Sequence, residues 1–492
     1  MPSHKRALMA MLLVLFFLIA ELSLCRAQKA PDPWALTLTV TGDVHKEVVL
    51  TGYYGWESIE IQHQGQSQEV IPLEPVLASA GILGEQITIL FSSPDGAVAE
   101  IPLEQISSTC YLRLTPEYGW QFISEGHPRQ AGIKYMDYIV VKAANPGPKA
   151  PCLRLIDGTK ETALTYGELF TAEGVCRMVP EREAKKGSLT TKVYSRRNLI
   201  PLHHYLEDES KTKPTALAYF GDGDQSEIDL EGFLEWRGNS ADYLAPNART
   251  RKPDIIGIWV DPPADSVMDL APRALAALEE GRVLMILLDG LGYLNLLELQ
   301  PSFLCSLHPQ PARTVMPSIS PVGLGAIVTG RLPKENGITA RQMRTLLVDD
   351  MFTAATNMGK TASMVEGSTT VISLSIDQIL NPDLNSNGST DDEVFACAQR
   401  ELADGADLVF VHFHGYDDLA HTYGPLSPEA ALKLGELDLY VQELCADFTG
   451  TVFVLADHGQ HPTSGSKLGD HGEFRLLDLV VPWIQWESCG EQ

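Results

Sequence analysis

Hydrophobic and polar positions follow two different rhythms along this chain. Through residues 36–145 the period is two. Leu36-Thr37-Leu38-Thr39-Val40-Thr41-Gly42 puts apolar side chains on one face and threonines on the other, the mark of a strand with one wet face. Ser58–Gln62 and Gln86–Phe91 behave alike, Pro94-Asp95-Gly96 supplies a turn between strand runs, and 136–143 (MDYIVVKA) closes the segment. From Gly281 onward short uninterrupted apolar runs (Val283–Leu288, Leu408–Phe413, Val452–Ala456) alternate with segments of helical period. Such runs read as strands covered on both faces, so this part predicts an α/β fold, a mostly parallel sheet with helices on both faces. Ser427-Pro428-Glu429 gives one helix a capping hydroxyl, a first-turn proline and an acid, with Leu434, Leu437, Val441, Leu444 and Phe448 on one face. Asp391–Leu402 is a second helix, with Val394, Cys397 and Ala398 inward.

The β-rich part repeats. Ile71-Pro72-Leu73, the run Ile87–Phe91, Asp95-Gly96 and Glu100–Leu103 are echoed by Ile200-Pro201-Leu202, Ala216–Phe220, Asp222-Gly223 and Glu227–Leu230. The spacing is kept apart from a shorter turn in the second copy. Apolar periodicity alone does not reproduce both the Ile-Pro-Leu start and the Asp-Gly turn, so two copies of one β-rich module are expected, over 28–148 and 149–262. Asp261–Ser266, with two prolines and no period, reads as a linker to the α/β domain at 270–492. A chain beginning near Ala264 is then expected to keep the chemistry described below.

Composition narrows the function classes. At 492 residues the chain has room for two to four domains. A net charge of −27 without a basic run excludes nucleic acid as a stable partner. His4, Lys5 and Arg6 precede the apolar stretch Ala7–Leu24, and Cys25-Arg26-Ala27 offers a small-x-small cleavage site. Residues 1–27 therefore read as an export signal, which implies an extracellular, periplasmic or cell-surface protein. The alternative is a retained membrane anchor; lipidation at Cys25 is disfavoured by the bulk of Leu24. Seven cysteines follow, an odd number that gives no disulfide framework; Cys152 with Cys176 is the pair left open.

Acidic and histidine residues gather where the apolar runs stop. Asp289-Gly290 follows Val283–Leu288, Asp417-x-x-x-His421 follows Leu408–Phe413, and Asp457-His458-Gly459 follows Val452–Ala456. In open α/β sheets the ligand crevice lies outside the carboxyl ends of the strands, so these ends are expected to meet as a cluster suited to two divalent metals. Asp417 and His421, four apart, share one side of a helical turn, with Asp418 the competitor for Asp417. His412 and His414 are candidates for orienting ligands from outside, and His461 is a spare imidazole expected at the surface.

The order Asp-Gly, hydroxyl nucleophile, Asp-x-x-x-His-x-x-Gly-Pro, Asp-His-Gly, Gly-x-His-Gly resembles the alkaline phosphatase superfamily over residues 280–480. Within it, the resemblance is to the nucleotide pyrophosphatase/phosphodiesterase and cofactor-independent phosphoglycerate mutase branches. It implies one metal held by Asp417, His421 and His471, and a second held by Asp289, Ser320, Asp457 and His458. Counting back from Val328-Thr329-Gly330 puts the nucleophile at Ser320, with Ser318 the runner-up. Two departures bear on substrate: the nucleophile is Ser where the diesterases carry Thr, and Gly323 stands where they carry a phosphate-contacting Asn. The resemblance thus implies an exported hydrolase of phosphate mono- or diesters working through a phosphoserine, on a small-molecule phosphate ester, with two zinc or manganese ions. A membrane becomes a partner only if the first 27 residues are retained. Alternatives on the same scaffold are phosphomutase or sulfatase-type transfer, the latter lacking its Cys/Ser-x-Pro-x-Arg context, and a non-catalytic exported binding protein.

Three further features stay open. Asp383-x-Asn385-x-Asn387-Gly388 resembles half of a calcium loop, with Glu393 one position early for its last ligand. Lys334, Arg341 and Arg344 are candidates for a substrate phosphate. The β modules resemble the molybdopterin-binding β domains of sulfite oxidase-like enzymes, which would imply an oxidoreductase; no cysteine context and no basic cluster accompanies that likeness along the sequence.

Overall fold

In the computed structural model, which describes residues 37–147, 150–207 and 215–489, the period-two pattern folds as paired sheets. The expected export signal over 1–27 lies outside the described residues. The first module contains β1 (Leu38–Gly42), β2 (Val48–Leu50), β3 (Ile59–His63), β4 (Gln66–Pro72), β5 (Glu85–Ser92), β6 (Val98–Pro102), β7 (Cys110–Thr115), β8 (Gly119–Ser124) and β9 (Tyr138–Asn145). One sheet runs β2-β1-β9-β5-β6 and the other β3-β4-β7-β8. Their inward faces meet on Trp120, Phe91 and Phe122, the two phenylalanines stacked at 4.3 Å.

The second module contains β10 (Leu153–Asp157), β11 (Lys160–Leu164), β12 (Val175–Lys186), β13 (Leu189–Pro201), β14 (Thr215–Phe220), β15 (Gln225–Asp229), β16 (Phe233–Trp236), β17 (Ala241–Leu244), β18 (Arg251–Lys252) and β19 (Ile255–Val260). Its sheets run β11-β10-β19-β14-β15 and β12-β13-β16-β17-β18. Order and sense match the first module. β1 is antiparallel to β2 and parallel to β9, as β10 is antiparallel to β11 and parallel to β19. Ile71 faces Leu112 across β4 and β7, and Ile200 faces Leu234 across β13 and β16.

The α/β region contains β20 (Val283–Leu288), β21 (Gln310–Arg313), β22 (Ala362–Glu366), β23 (Ile379–Leu380), β24 (Leu408–Phe413), β25 (Thr449–Leu455), the short pair β26 (His461–Pro462) and β27 (Gly469–Asp470), and β28 (Val480–Cys489). The main sheet runs β21-β28-β25-β20-β24-β22-β23. β25, β20, β24, β22 and β23 are parallel, while β28 and β21 add an antiparallel edge. Every residue of β20 and β24 is buried, which is why their apolar runs do not alternate. The two marked helices form over Asp391–Ala403 and Pro428–Ala446, the latter capped by the Ser427 hydroxyl accepting from Ala430 N. Among the described residues no helix is long and apolar enough to cross a membrane.

The chain divides into two compact units, and the boundary is not at the prolines. The first module, with Thr165–Ala172 and Trp236–Asn239, forms one; the rest of the second module and the α/β region form the other. The expected linker is tied down instead. Arg313 N donates to Asp265 O (2.9 Å), and the Arg313 guanidinium donates to the carbonyls of Pro263 (2.5 Å) and Ala264 (2.6 Å). Phe474 of the α/β region packs edge-on against Tyr219 at 5.0 Å, over Gly257, where a Cβ would overlap the Phe474 ring. Leu476 N donates to Glu161 (2.7 Å), and Arg154 lies 3.7 Å from Glu473. A chain beginning near Ala264 would lack the partners that Phe474, Leu476 and Glu473 have in the second module. Among the described residues no cysteine forms a disulfide, so Cys152 and Cys176 are not joined.

Candidate metal centre

The site forms at the carboxyl ends of the neighbouring parallel strands β25, β20 and β24. Asp289 follows β20, its N–H donating to Phe413 O at the end of β24 (3.0 Å). Gly290 turns the chain with φ of 72°, and a Cβ there would collide with Asp417. After β24 the helix Gly415–Tyr423 carries Asp417 and His421; the Asp391 carboxylate accepts from the N–H groups of His414 (3.1 Å) and Gly415 (3.2 Å) and fixes its start. Asp457 and His458 follow β25. Ser320 is the first residue of the helix Ser320–Thr329, and His471 follows β27.

Asp417, His421 and His471 converge on one point. His421 Nε2 lies 3.4 Å from Asp417 Oδ2 and 3.2 Å from His471 Nε2. Each ring offers Nδ1 to a carbonyl, His421 to Gly469 O and His471 to Ser318 O, both at 2.9 Å. Those carbonyls call for Nδ1–H, which leaves two Nε2 lone pairs facing each other beside a carboxylate. A cation between them accounts for that arrangement; a hydrogen bond does not.

The second set is looser, since Asp289 and His458 form a compact group with Asp417 and Asp457 stands outside it. Ser320 Oγ lies 3.3 Å from Asp289 Oδ1 and 3.2 Å from His458 Nε2. His458 Nε2 is 3.4 Å from Asp289 Oδ1 and 3.5 Å from Asp457 Oδ2. His458 Nδ1 faces Gly459 O at 3.1 Å, again leaving Nε2 toward the cluster. Asp457 Oδ2 is buried and has no hydrogen-bond partner. An orphaned buried carboxylate oxygen beside an imidazole and a hydroxyl fits a divalent cation. Gly323 belongs to this geometry: a Cβ there would lie 2.7 Å from Asp457 O, so the helix docks too closely for the Asn of the diesterases.

Histidines 412 and 414 sit nearer than expected. Asp289 Oδ2 takes His414 Nδ1 at 3.0 Å, and His412 Nε2 lies 3.3 Å from it as a charge contact. His412 Nδ1 reaches Glu366 Oε1 at 3.2 Å, so a fully buried imidazole bridges two buried carboxylates from three adjacent strands. Glu366, which sequence reasoning did not single out, is the last residue of β22, as Asp289 is the first after β20. Gln460 was also missed; its amide hydrogen-bonds Asp417.

The electrostatics are uneven. Burial pushes the Asp289 carboxyl up, but hydrogen bonds from His412, His414 and His458 outweigh it and hold it well below the usual carboxylate range. Burial and the Asp289 charge push Asp417 well up and Asp457 to about 6. Against burial, Asp457 and Asp289 raise His458 to about 10. Burial lowers His421, and burial with the nearby His458 lowers His471 to about 2. The Asp417 group therefore presents neutral imidazoles, ready as ligands.

Other candidates fall elsewhere. Ser318 is buried, donates to Glu473 O (3.4 Å) and supports His471 through its own carbonyl. His461 is buried rather than at the surface, with Nδ1 2.7 Å from Asp478 and Nε2 3.6 Å from Glu473. Lys334 pairs with Asp222 (2.6 Å) and Asp224 (3.5 Å), and Arg344 donates to the carbonyls of Arg341 and Met343. In the calcium-like loop the Asp383 carboxylate accepts from Asn387 N (3.1 Å) and Gly388 N (2.9 Å), and Glu393 accepts from Leu384 N (2.9 Å), so the loop closes on its own amides.

The carboxylates, imidazoles and helix-start serine at the strand ends of this α/β sheet form groups that could hold metal ions. Residues 351–483 match the family model of type I phosphodiesterase / nucleotide pyrophosphatase. The match takes in Asp417, His421, Asp457, His458 and His471; Asp289 and Ser320 lie ahead of it. Among solved structures, the chain is similar to murine ectonucleotide pyrophosphatase/phosphodiesterase 5 (an inactive variant in complex with AMP), with 20% identity, TM-score 0.31, and coverage of 37% of this chain and 58% of that one. The human protein of the same name gives 13% identity, TM-score 0.35, and coverage of 43% and 90%. The chain thus spans little more than half of the murine relative. No curated protein matches the sequence.

Proposed function

We propose that this protein is an exported, metal-dependent phosphoesterase that hydrolyses small-molecule phosphate esters through a phosphoserine on Ser320. The observation that carries the reading is Ser320 Oγ, set between Asp289 Oδ1 and His458 Nε2 (3.3 and 3.2 Å) at the start of a helix, beside the Asp417/His421/His471 group. Asp289, Ser320, Asp457 and His458 would hold one cation and Asp417, His421 and His471 the other; the carboxylate, imidazole and hydroxyl donors suit zinc or manganese. When bound, the two ions would supply Lewis-acid neutralisation of phosphate charge and favour the serine alkoxide.

The protein's own groups do the rest. Ser320 is aimed by its place at the helix start; as Oγ bonds to phosphorus the bond from phosphorus to the ester oxygen breaks, and the proton given up by the serine is taken up through water by the departing alcohol. Water then attacks phosphorus and the Ser320 O–P bond breaks, releasing phosphate or a phosphomonoester and restoring the hydroxyl. Asp289 is kept ionised by three histidines and opposes any drift of Ser320 out of line. Gly323 favours monoesters over diesters within this reading, because no side-chain amide can stand there to hold a second ester oxygen. Hydrolysis of one aryl monoester and one aryl diester by the zinc- or manganese-loaded protein tests it. Turnover of either, lost on chelation and restored by metal, is expected; no turnover of either by protein carrying two metals would refute it.

A further inference from the structure

We propose that the first β module carries a binding site for a small phosphate dianion, separate in kind from the metal chemistry. Between β3, β4, β7, β8 and the loop that follows lies a cavity of about 310 Å³, lined by His63, Arg113, Tyr118, His127, Arg129 and Lys134 together with amides and hydroxyls, and by no acidic side chain. Its size falls at the lower end of the ~300–1,000 Å³ of small-molecule sites. In a chain of net charge −27 such a concentration of uncompensated cations is out of character.

Arg113 is the centre of the site. Its guanidinium donates to Gln68 Oε1 (2.5 Å) and to Gln121 Oε1, both neutral acceptors. Its Nε–H is buried without a hydrogen-bond partner. The Lys134 ammonium stands 3.4 Å over the Tyr118 ring, and His127 Nδ1 is 2.8 Å from Ser124 Oγ. Among the described residues neither Arg113, Arg129 nor Lys134 forms an ion pair.

The second module supplies an internal control. Because Ile71 faces Leu112 as Ile200 faces Leu234, Gln68 and Arg113 occupy the positions that Arg197 and Glu235 occupy in the other copy. There the half-buried cation is neutralised: Arg197 pairs with Glu235 at 3.1 Å and with Glu181 as well. At the same cross-strand position one copy closes its charge internally and the other leaves it open beside a cavity. A guanidinium held flat by two amides, flanked by an ammonium and two imidazoles, matches a phosphate or phosphomonoester dianion. None of these residues adjoins another in sequence, which is why no basic cluster shows along the chain.

Calorimetric titration of the full-length, zinc-loaded protein with inorganic phosphate tests the proposal. Wild type is compared with Arg113→Gln and with Gln68→Glu, which gives the first copy the carboxylate that the second already has. Wild type is expected to hold one phosphate more per chain than either variant, or to hold it at least about tenfold more tightly, the usual loss for one charged hydrogen bond. The difference should shrink with added sodium chloride. Ethyl phosphate taking the Arg113-dependent site as well as orthophosphate does identifies a phosphomonoester; orthophosphate alone taking it identifies free phosphate. Identical stoichiometry and affinity in wild type and both variants overturns the proposal. Should Arg113→Gln fail to fold, Gln68→Glu decides alone, since it forms a charge pair that this fold already accommodates.

Discussion

Phe474→Ala separates two roles of the second β module, filling space and holding a metal ligand. Phe474 is 4% exposed, packs edge-on to the fully buried Tyr219 at 5.0 Å and covers Gly257. It stands three positions beyond His471, in a segment held also by Glu473 N on Asp478 (2.9 Å) and Leu476 N on Glu161 (2.7 Å). Truncating a buried Phe to Ala typically removes ~3–5 kcal/mol. In a unit this large, at ~2 °C per kcal/mol, the midpoint of thermal unfolding should fall by roughly 6–10 °C. The segment also sets the angle of His471, and loosening the support of a ligand usually lowers metal affinity about 10–100-fold. Scanning calorimetry gives the first number, and zinc titration against a competing chelator gives the second. If the midpoint falls as stated while both zinc ions bind with wild-type affinity, Phe474 only fills space and the module does not position the site.

Three further outcomes are expected. Ser320→Ala abolishes ester hydrolysis while Ser318→Ala keeps most of it, since Ser318 Oγ points to Glu473 O; steady-state rates on an aryl phosphate decide, and a reversed result would move the nucleophile. Metal analysis after reconstitution with zinc or manganese gives two ions per chain, and a content below one would contradict the proposed pair of ligand sets. His412→Ala leaves Glu366 and Asp289 buried without their shared cation, a loss of about 3–5 kcal/mol in urea unfolding of the metal-free protein; an unchanged midpoint would show that the bridge contributes nothing.

The strand-end carboxylates were readable because an apolar run that halts at an acid is a local signal, and β20, β24 and β25 keep it. The same signal was present at Glu366, but β22 offers only Met364-Val365 ahead of it, too short a run to stand out. His412 lies inside the run of β24 and reads as a candidate for orienting ligands; which groups it meets depends on Glu366 and Asp289, which register places on either side of it. The prolines of 261–266 suggested a loose connection, while the group that pins them, Arg313, is remote in sequence. Ile-Pro-Leu marked equivalent strands in the two modules because it sits where β4 and β13 end. The charge difference at Gln68/Arg113 against Arg197/Glu235 appears only once the cross-strand register is known.

That difference has a consequence for folding fidelity. Two modules with the same strand order in one chain are natural candidates for exchanging strands as they fold, the characteristic failure of tandem repeats. Here an exchange is penalised at a single position. Setting β7 against β13 would oppose Arg113 to Arg197, and setting β16 against β4 would leave the Glu235 carboxylate facing an amide in place of its guanidinium. These positions are diagonal neighbours across the strand pair, near enough for like charges to repel, so the native partners are favoured from both sides. The pair that leaves one copy with an open cation thus also tells each copy which strands are its own.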